Sequence, residues 1–154
     1  MRVALLTAVR DPRIKTLILW SAVAYPCGDI RRIVGSEVWK EIEEKGSAHY
    51  LNYTLTKHFI RSLASFQPME ELQRYQGNVL LVHGTNDDVV PVDHCFLYQK
   101  VFWLRREGIC DKEIILQGDH TFSSSTARKE LLEKTIHWLK GLRDKKWLWS
   151  GWSI

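Results

Sequence analysis

An α/β fold, built on a small parallel sheet flanked by helices, is the class this sequence predicts, and three observations predict it. Residues 16–20 (TLILW), 78–83 (NVLLVH) and 112–117 (KEIILQ) are nearly continuous in apolar and β-branched character. That is how a strand buried on both faces reads. Stretches with helical spacing separate these runs, so successive strands run parallel. The second and third runs each end in a polar, glycine-bearing turn, His83-Gly84-Thr85-Asn86-Asp87-Asp88 and Gly118-Asp119-His120, at the end of the strand where an open parallel sheet gathers its functional groups.

The elements follow in order. Residues 1–9 (MRVALLTAV) read as a short apolar helix with no N-cap before it. The first strand comes next, at 16–20. Arg2, Arg10, Arg13 and Lys15 precede the apolar run 16–24, which ends Ala22-Val23-Ala24 in the outline of a signal peptide. Leu5, Leu6 and Asp11 inside the supposed charged region argue against that reading. No apolar run approaches the ~20 residues of a membrane span. The span 26–77 shows helices but no clear buried strand, and it reads as a cap-like insertion over one end of the sheet. Within it, residues 55–66 and 69–75 are helical on either side of Pro68. Residues 92–107 place Phe96, Leu97, Val101, Phe102 and Leu104 on one broad face and stop at Gly108. Residues 125–142 close the fold with Leu131, Leu132, Ile136, Trp138 and Leu139 turned inward.

Composition narrows the function classes. The 154 residues suit one domain, and 45% hydrophobic with 26% charged residues is ordinary for a globular protein. The net charge of +4 is spread among interspersed acids and bases, which argues against a nucleic-acid partner. Cys27, Cys95 and Cys110 make an odd count with no CxxC pair, the pattern of reduced thiols in a cytoplasmic protein. A zinc site on the adjacent His94 and Cys95 lacks two further ligands at recognisable spacing, so no metal is expected. Lys145, Lys146, Trp147, Trp149 and Trp152 interleave basic and aromatic residues in the tail. Such a tail suits a membrane interface or nucleic acid; the plainer reading is an end that packs on the body or is partly disordered. Arg31 and Arg32 are either solvated or near a substrate entrance, and the sequence does not choose.

The chemistry lies in the two turns. Taken alone, Asp87 and Asp88 read equally well as turn-shaping residues or as a carboxylate placed for chemistry. The second turn breaks the tie, because His120 follows the carboxyl end of the next strand. A carboxylate orienting an imidazole that acts as general base is what nucleophilic hydrolysis requires.

At these residues the chain resembles the α/β-hydrolase fold, closest to cinnamoyl and feruloyl esterases, serine aminopeptidases and the prolyl oligopeptidase catalytic domain. LLVHGTNDDVVP resembles the acid-bearing turn, and the match selects Asp87 over Asp88 as the triad acid. QGDHTFSS, followed by the helix ending TIHWLKGL, resembles the histidine loop and assigns His120. DPRIKTLILWSAVAYP resembles the strand after the nucleophile helix, and LTKHFIRSLASFQPMEELQRY the end of the variable cap. The resemblance covers nearly the whole chain. It implies that residues 1–154 form a single, partial α/β-hydrolase domain, the C-terminal portion of that fold, with a cap-like insertion at about 26–77. It implies no cofactor.

One departure bears on function. The family's chain order is nucleophile, acid, histidine, with the serine in G-x-S-x-G, and no such motif occurs in the sequence. Residues 1–9 resemble the helix that follows the nucleophile turn, which places the serine a few residues upstream of Met1. Ser21 and Ser123 lie outside any such turn. The expectation is a partial serine hydrolase, retaining the triad acid and histidine, whose parent cleaves a small-molecule carboxylic ester, with an amide or peptide as the second choice. The alternatives are a non-catalytic α/β module and a truncated gene product without activity. The strand at 16–20 is expected to expose one edge, open to self-association or to an N-terminal half. No membrane partner is expected.

Overall fold

The computed structural model describes residues 2–150. Along the chain run α1 (Arg2–Arg10), β1 (Thr16–Trp20), α2 (Pro26–Lys45), β2 (Ser47–Tyr50), β3 (Tyr53–Thr56) and α3 (Lys57–Ala64). Then come α4 (Pro68–Gln73), β4 (Asn78–Gly84), α5 (Asp93–Trp103), β5 (Cys110–Ile115) and α6 (Ser125–Ser150). Three strands form a parallel sheet in the order β1-β4-β5, with Thr16 opposite Asn78 and Val79 opposite Cys110. Among the described residues only β4 has a sheet neighbour on both sides, and it is buried from Val79 to Gly84.

Strand alternation divides the core. Leu17, Leu19, Val79 and Leu81 face one way, onto Leu5 and Ala8 of α1, Leu72 of α4, and Cys95, Tyr98 and Phe102 of α5. Leu80, Val82 and Ile115 face the other way, onto Phe122 and onto Ala127, Leu131 and Trp138 of the α6 side. A sheet covered by helices on both faces is the predicted α/β arrangement. Polar ties fix its seams. The Tyr98 hydroxyl donates to the Val23 carbonyl, joining α5 to the segment after β1. Arg105 Nη1 donates to the carbonyls of Tyr75 and, at 3.0 Å, Gly77, anchoring the entry to β4.

Several elements depart from their sequence reading. The strand expected at 112–117 runs two residues earlier and is half-buried along most of its length. As an edge strand it carries Asp111 and Glu113, which bond Trp138 Nε1 at 2.7 Å and Lys134 Nζ at 2.6 Å. Its end is set where Gln117 takes a left-handed φ of 57°, leaving Leu116 exposed. On α5 the inward row is His94, Cys95, Tyr98 and Phe102, while Phe96 and Leu104 are exposed. On α6, Leu131 packs inward with Trp138 against the sheet, but Leu132, Ile136 and Leu139 lie in the open. Both α6 rows have i, i+4, i+7 spacing, so periodicity offers two faces, and three strands cover only one.

Residues 26–77 hold α2, the β2–β3 hairpin, α3 and α4. Pro26 opens α2 at a position where its missing N–H costs nothing. Gly46, at φ 86°, closes it with its N–H on the Ile42 carbonyl at 3.0 Å. The hairpin was not read from the sequence. Most of its residues are exposed, and its turn places Leu51 at φ 52°, where glycine or asparagine is the usual signal. Thr56 caps α3, its Oγ1 accepting from Phe59 N at 3.2 Å.

The ends of β4 and β5 meet at two glycines. A Cβ on Gly84 would stand 2.0 Å from the Gly118 carbonyl oxygen, and one on Gly118 would stand 3.1 Å from Gly84 Cα. Because neither residue carries a Cβ, the loops close together: Asn86 N donates to Gly118 O at 2.9 Å, Thr85 N to Ile115 O at 3.0 Å, and Gln117 N to Thr85 Oγ1 at 2.8 Å. Gly84→Ala is expected to destabilise the protein by roughly 1–3 kcal/mol, the usual cost of overpacking. Gly141→Ala, on α6 with nothing within 4 Å of the new methyl, is expected to stabilise by up to about 1 kcal/mol. Urea denaturation of both variants checks the pair; an unchanged midpoint for Gly84→Ala would show that the close approach is no constraint.

Candidate active site

The loop after β4 presents Asp87 with its side chain fully buried, 0% exposed. Its Oδ1 accepts from the backbone N–H of Val89 at 3.0 Å and Val90 at 2.7 Å, which folds the loop around the carboxylate as an Asx turn does. Its Oδ2 lies 2.9 Å from His120 Nδ1 and 3.1 Å from His83 Nε2. Arg32, from α2, braces the outside of this loop by donating to the Val89 carbonyl and reaching that of Asp88 at 3.5 Å. The carboxylate of Asp88 takes no part in the pair with His120.

The loop after β5 delivers His120. Asp119 Oδ1 accepts from the N–H of Thr121 at 3.1 Å and Ser123 at 2.8 Å, and the Ser123 hydroxyl donates to the same carboxylate. Phe122, at φ 51°, is buried on the α6 side. Between these anchors the His120 ring is 32% exposed, and it lines a pocket of about 260 Å³ with Val23, Ile33, Phe66, Val90 and Asp29. A second pocket of about 450 Å³ adjoins it through Pro26, Leu63 and Phe66, and is also lined by Tyr25 and Cys27.

Electrostatics fix the protonation pattern. Burial alone would raise the Asp87 carboxyl. The Val90 N–H, the His120 hydrogen bond and the charges of His120 and His83 outweigh it, and the carboxyl stays below the ordinary range. An ionised carboxylate only accepts, so the hydrogen between Asp87 and His120 sits on Nδ1, and in the neutral ring the acceptor is Nε2. A buried anion and a partly exposed imidazole are thus paired at the wall of a pocket.

Sequence reasoning missed a second buried pair. Asp29 Oδ2 lies 3.6 Å from His94 Nδ1, and His94 Nδ1 accepts from Ala24 N at 3.1 Å. Burial raises Asp29 against the pull of His94 and Arg32, and burial lowers His94 against the pull of Asp29. Both are thus pushed toward their neutral forms. The only sequence signal was a carboxylate and an imidazole at otherwise apolar helix positions. Of the two arginines left open, Arg31 stacks 5.5 Å from the Trp39 ring and Arg32 braces the acid loop. The Ser21 side chain is buried at φ 46° after β1.

Cys27, Cys95 and Cys110 are free thiols, and burial pushes Cys95 and Cys110 up to about 12. Among the described residues, no group of three or more His, Cys, Asp or Glu is placed to hold a metal ion. No helix among them is long and apolar enough to cross a membrane. The side chains of Trp147 and Trp149, and all of Trp152, lie outside the described residues.

The depressed Asp87 carboxyl sets a pH dependence. A carboxyl lower in the folded than in the unfolded state stabilises the fold above the unfolded value. That contribution is lost as pH falls through the folded value. Wild type is therefore expected to lose stability more steeply than Asp87→Asn below about pH 4. Thermal unfolding between pH 7 and 3 measures it, and parallel curves would contradict a depressed carboxyl.

Residues 21–145 match the prolyl oligopeptidase family. Solved structures agree on the fold. An esterase domain from Rhodothermus marinus is 16% identical with a TM-score of 0.63, over 89% of this chain and 55% of that one. Est1E from Butyrivibrio proteoclasticus, solved with ferulic acid, is 20% identical with a TM-score of 0.62, over 87% and 55%. Mouse alpha/beta hydrolase domain-containing protein 10 is 21% identical with a TM-score of 0.63, over 90% and 57%. The chain thus spans little more than half the length of these structures, which are alike in fold. Comparison with curated protein sequences finds no match. With its small parallel sheet flanked by helices and its matching segment 21–145, the chain belongs to the prolyl oligopeptidase family and has the α/β-hydrolase fold.

Proposed function

We propose that Asp87 and His120 are the acid and base of a serine-hydrolase triad that cleaves a carboxylic ester, with the serine contributed from outside these 154 residues. The 2.9 Å contact between His120 Nδ1 and the buried Asp87 Oδ2, beside an apolar pocket, carries this reading. His120 Nε2 takes the proton of the serine hydroxyl as that oxygen attacks the ester carbonyl. It then returns the proton to the departing alcohol oxygen, and water repeats the sequence on the acyl-enzyme. Asp87 stays ionised throughout and stabilises the imidazolium. Residues 26–77 act as the cap, their α2 and α3 side chains walling the pocket beside His120. The oxyanion donors belong with the serine, one of them being the amide that follows it. Three free thiols fit a cytoplasmic setting.

The coding sequence upstream of Met1 tests the triad. It is expected to encode G-x-S-x-G in frame within a few residues. The extended product should hydrolyse p-nitrophenyl esters and be labelled by a fluorophosphonate, while the 154-residue chain is not. Asp87→Asn in the extended product should lower kcat by roughly four orders of magnitude. An upstream sequence without the motif, or full activity in His120→Ala, would overturn the assignment.

The open side of the sheet carries the partner proposal. Among the described residues β1 pairs with β4 alone. Trp20 on that edge and Leu132, Ile136 and Leu139 on α6 are all exposed. Unpaired strand groups beside apolar side chains form a template for another strand. Through this edge the 154-residue chain associates with itself or with an N-terminal half. Size-exclusion chromatography with multi-angle scattering is expected to show concentration-dependent association. A sharp monomer at every concentration, with cooperative thermal unfolding, would refute it.

A further inference from the structure

His83 is the last side chain of β4 before Gly84, and it is 1% exposed. Its Nε2 stands 2.9 Å from the Val90 carbonyl oxygen. A carbonyl can only accept, so the hydrogen of the neutral ring is on Nε2. The same nitrogen lies 3.1 Å from Asp87 Oδ2. Val90 in turn donates its N–H to Asp87 Oδ1 at 2.7 Å. His83, Asp87 and Val90 therefore close a ring in which each touches the other two. The strand end reaches up through His83, bonds the backbone turn at Val90 and brings its ring against the carboxylate.

A carboxylate offers about four lone-pair sites. The N–H groups of Val89 and Val90 take the two on Oδ1, and the His83 ring stands against Oδ2 with Nε2 at 3.1 Å. On the other side of Oδ2, His120 Nδ1 makes its hydrogen bond at 2.9 Å. Were His83 merely a core histidine, the Val90 carbonyl would satisfy its single hydrogen, and the ring would have no need to approach Oδ2.

We propose that His83 is a positioning residue for this site: its ring, with Nε2 3.1 Å from Asp87 Oδ2, occupies one side of that oxygen, so that the carboxylate meets His120 from the other side and holds it as the Nδ1–H tautomer. This rests on reading Asp87 and His120 as acid and base. His83 touches no reacting atom and acts through Asp87. A tautomer with its hydrogen on Nε2 cannot accept the serine proton, so the fraction of correct tautomer scales the base available.

Two-bond proton–nitrogen correlation spectra of the histidine rings, recorded on the full 154-residue chain at pH 7.5, test the proposal. In wild type, His120 is expected to be the Nδ1–H tautomer and His83 the Nε2–H tautomer. Asp87→Asn is expected to abolish the His120 preference and sets the full scale of loss. His83→Phe fills the space without a donor and is expected to move His120 part of that way toward an averaged pattern. His83→Gln restores an N–H and is expected to return it to the wild-type position. A folded His83→Phe whose His120 signals overlay wild type would reduce His83 to packing and overturn the proposal. If His83→Phe does not fold, the His83 ring itself decides. Its nitrogen shifts are expected to change in Asp87→Asn, and unchanged shifts would mean that it serves Val90 alone. A wild-type His120 found as the Nε2–H tautomer, or unmoved by Asp87→Asn, would instead defeat the acid–base reading on which the inference stands.

Discussion

The site depends on the place where two backbones pass without side chains. Gly84 ends the central strand and Gly118 lies just beyond the edge strand, and the carbonyl of one occupies the volume a Cβ of the other would need. Interiors packed like molecular crystals do not absorb such an intrusion. The contact therefore sets how far apart the two loops can stand. With that distance fixed, the Asn86 and Thr85 amides reach the neighbouring loop and strand, and Asp87 and His120 arrive within hydrogen-bond range. The chain order of two strands and a helix becomes a spatial pair through one steric permission.

Around that contact the polar groups are arranged by charge. Asp87 accepts from two amides and the His120 imidazole, with the His83 ring 3.1 Å away, and these hold its carboxyl low despite its burial. Asp29, also buried, has an imidazole whose near nitrogen already accepts from Ala24, and a guanidinium 3.7 Å away. Its carboxyl is pushed the opposite way. Two carboxyls near one pocket are thus divided into one anion and one that resists ionising. That separation is the usual sign of environments tuned residue by residue.

Much of this was legible in the sequence, for definite reasons. β4 could be read because a run as apolar as Val79–Val82 has no other stable home. The polar turns at 84–88 and 118–120 stood out against the strands they end. What failed to show was anything decided by the size of the sheet. Leu132, Ile136 and Leu139 repeat with the same spacing as Leu131 and Trp138, and only the width of three strands tells the rows apart. β5 was displaced because Leu116 looks like strand, while Gln117 in the left-handed region ends pairing before it. The hairpin was hidden by a leucine where a turn usually announces itself. His83 was written off to the strand, since nothing local distinguishes a histidine that touches a distant carboxylate from one that does not.

Cys95 and Cys110 share a property that has a practical side. Cys95 and Cys110, at about 12, are almost wholly protonated at neutral pH, and a thiol in that form is a poor nucleophile. Cys27 sits on the wall of the larger pocket, one residue into α2 and half-exposed. Alkylating reagents are therefore expected to react slowly at Cys95 and Cys110. A nitroxide or an environment-sensitive dye delivered as a maleimide or iodoacetamide is directed to the mouth of the cavity, where its signal reports on whatever enters.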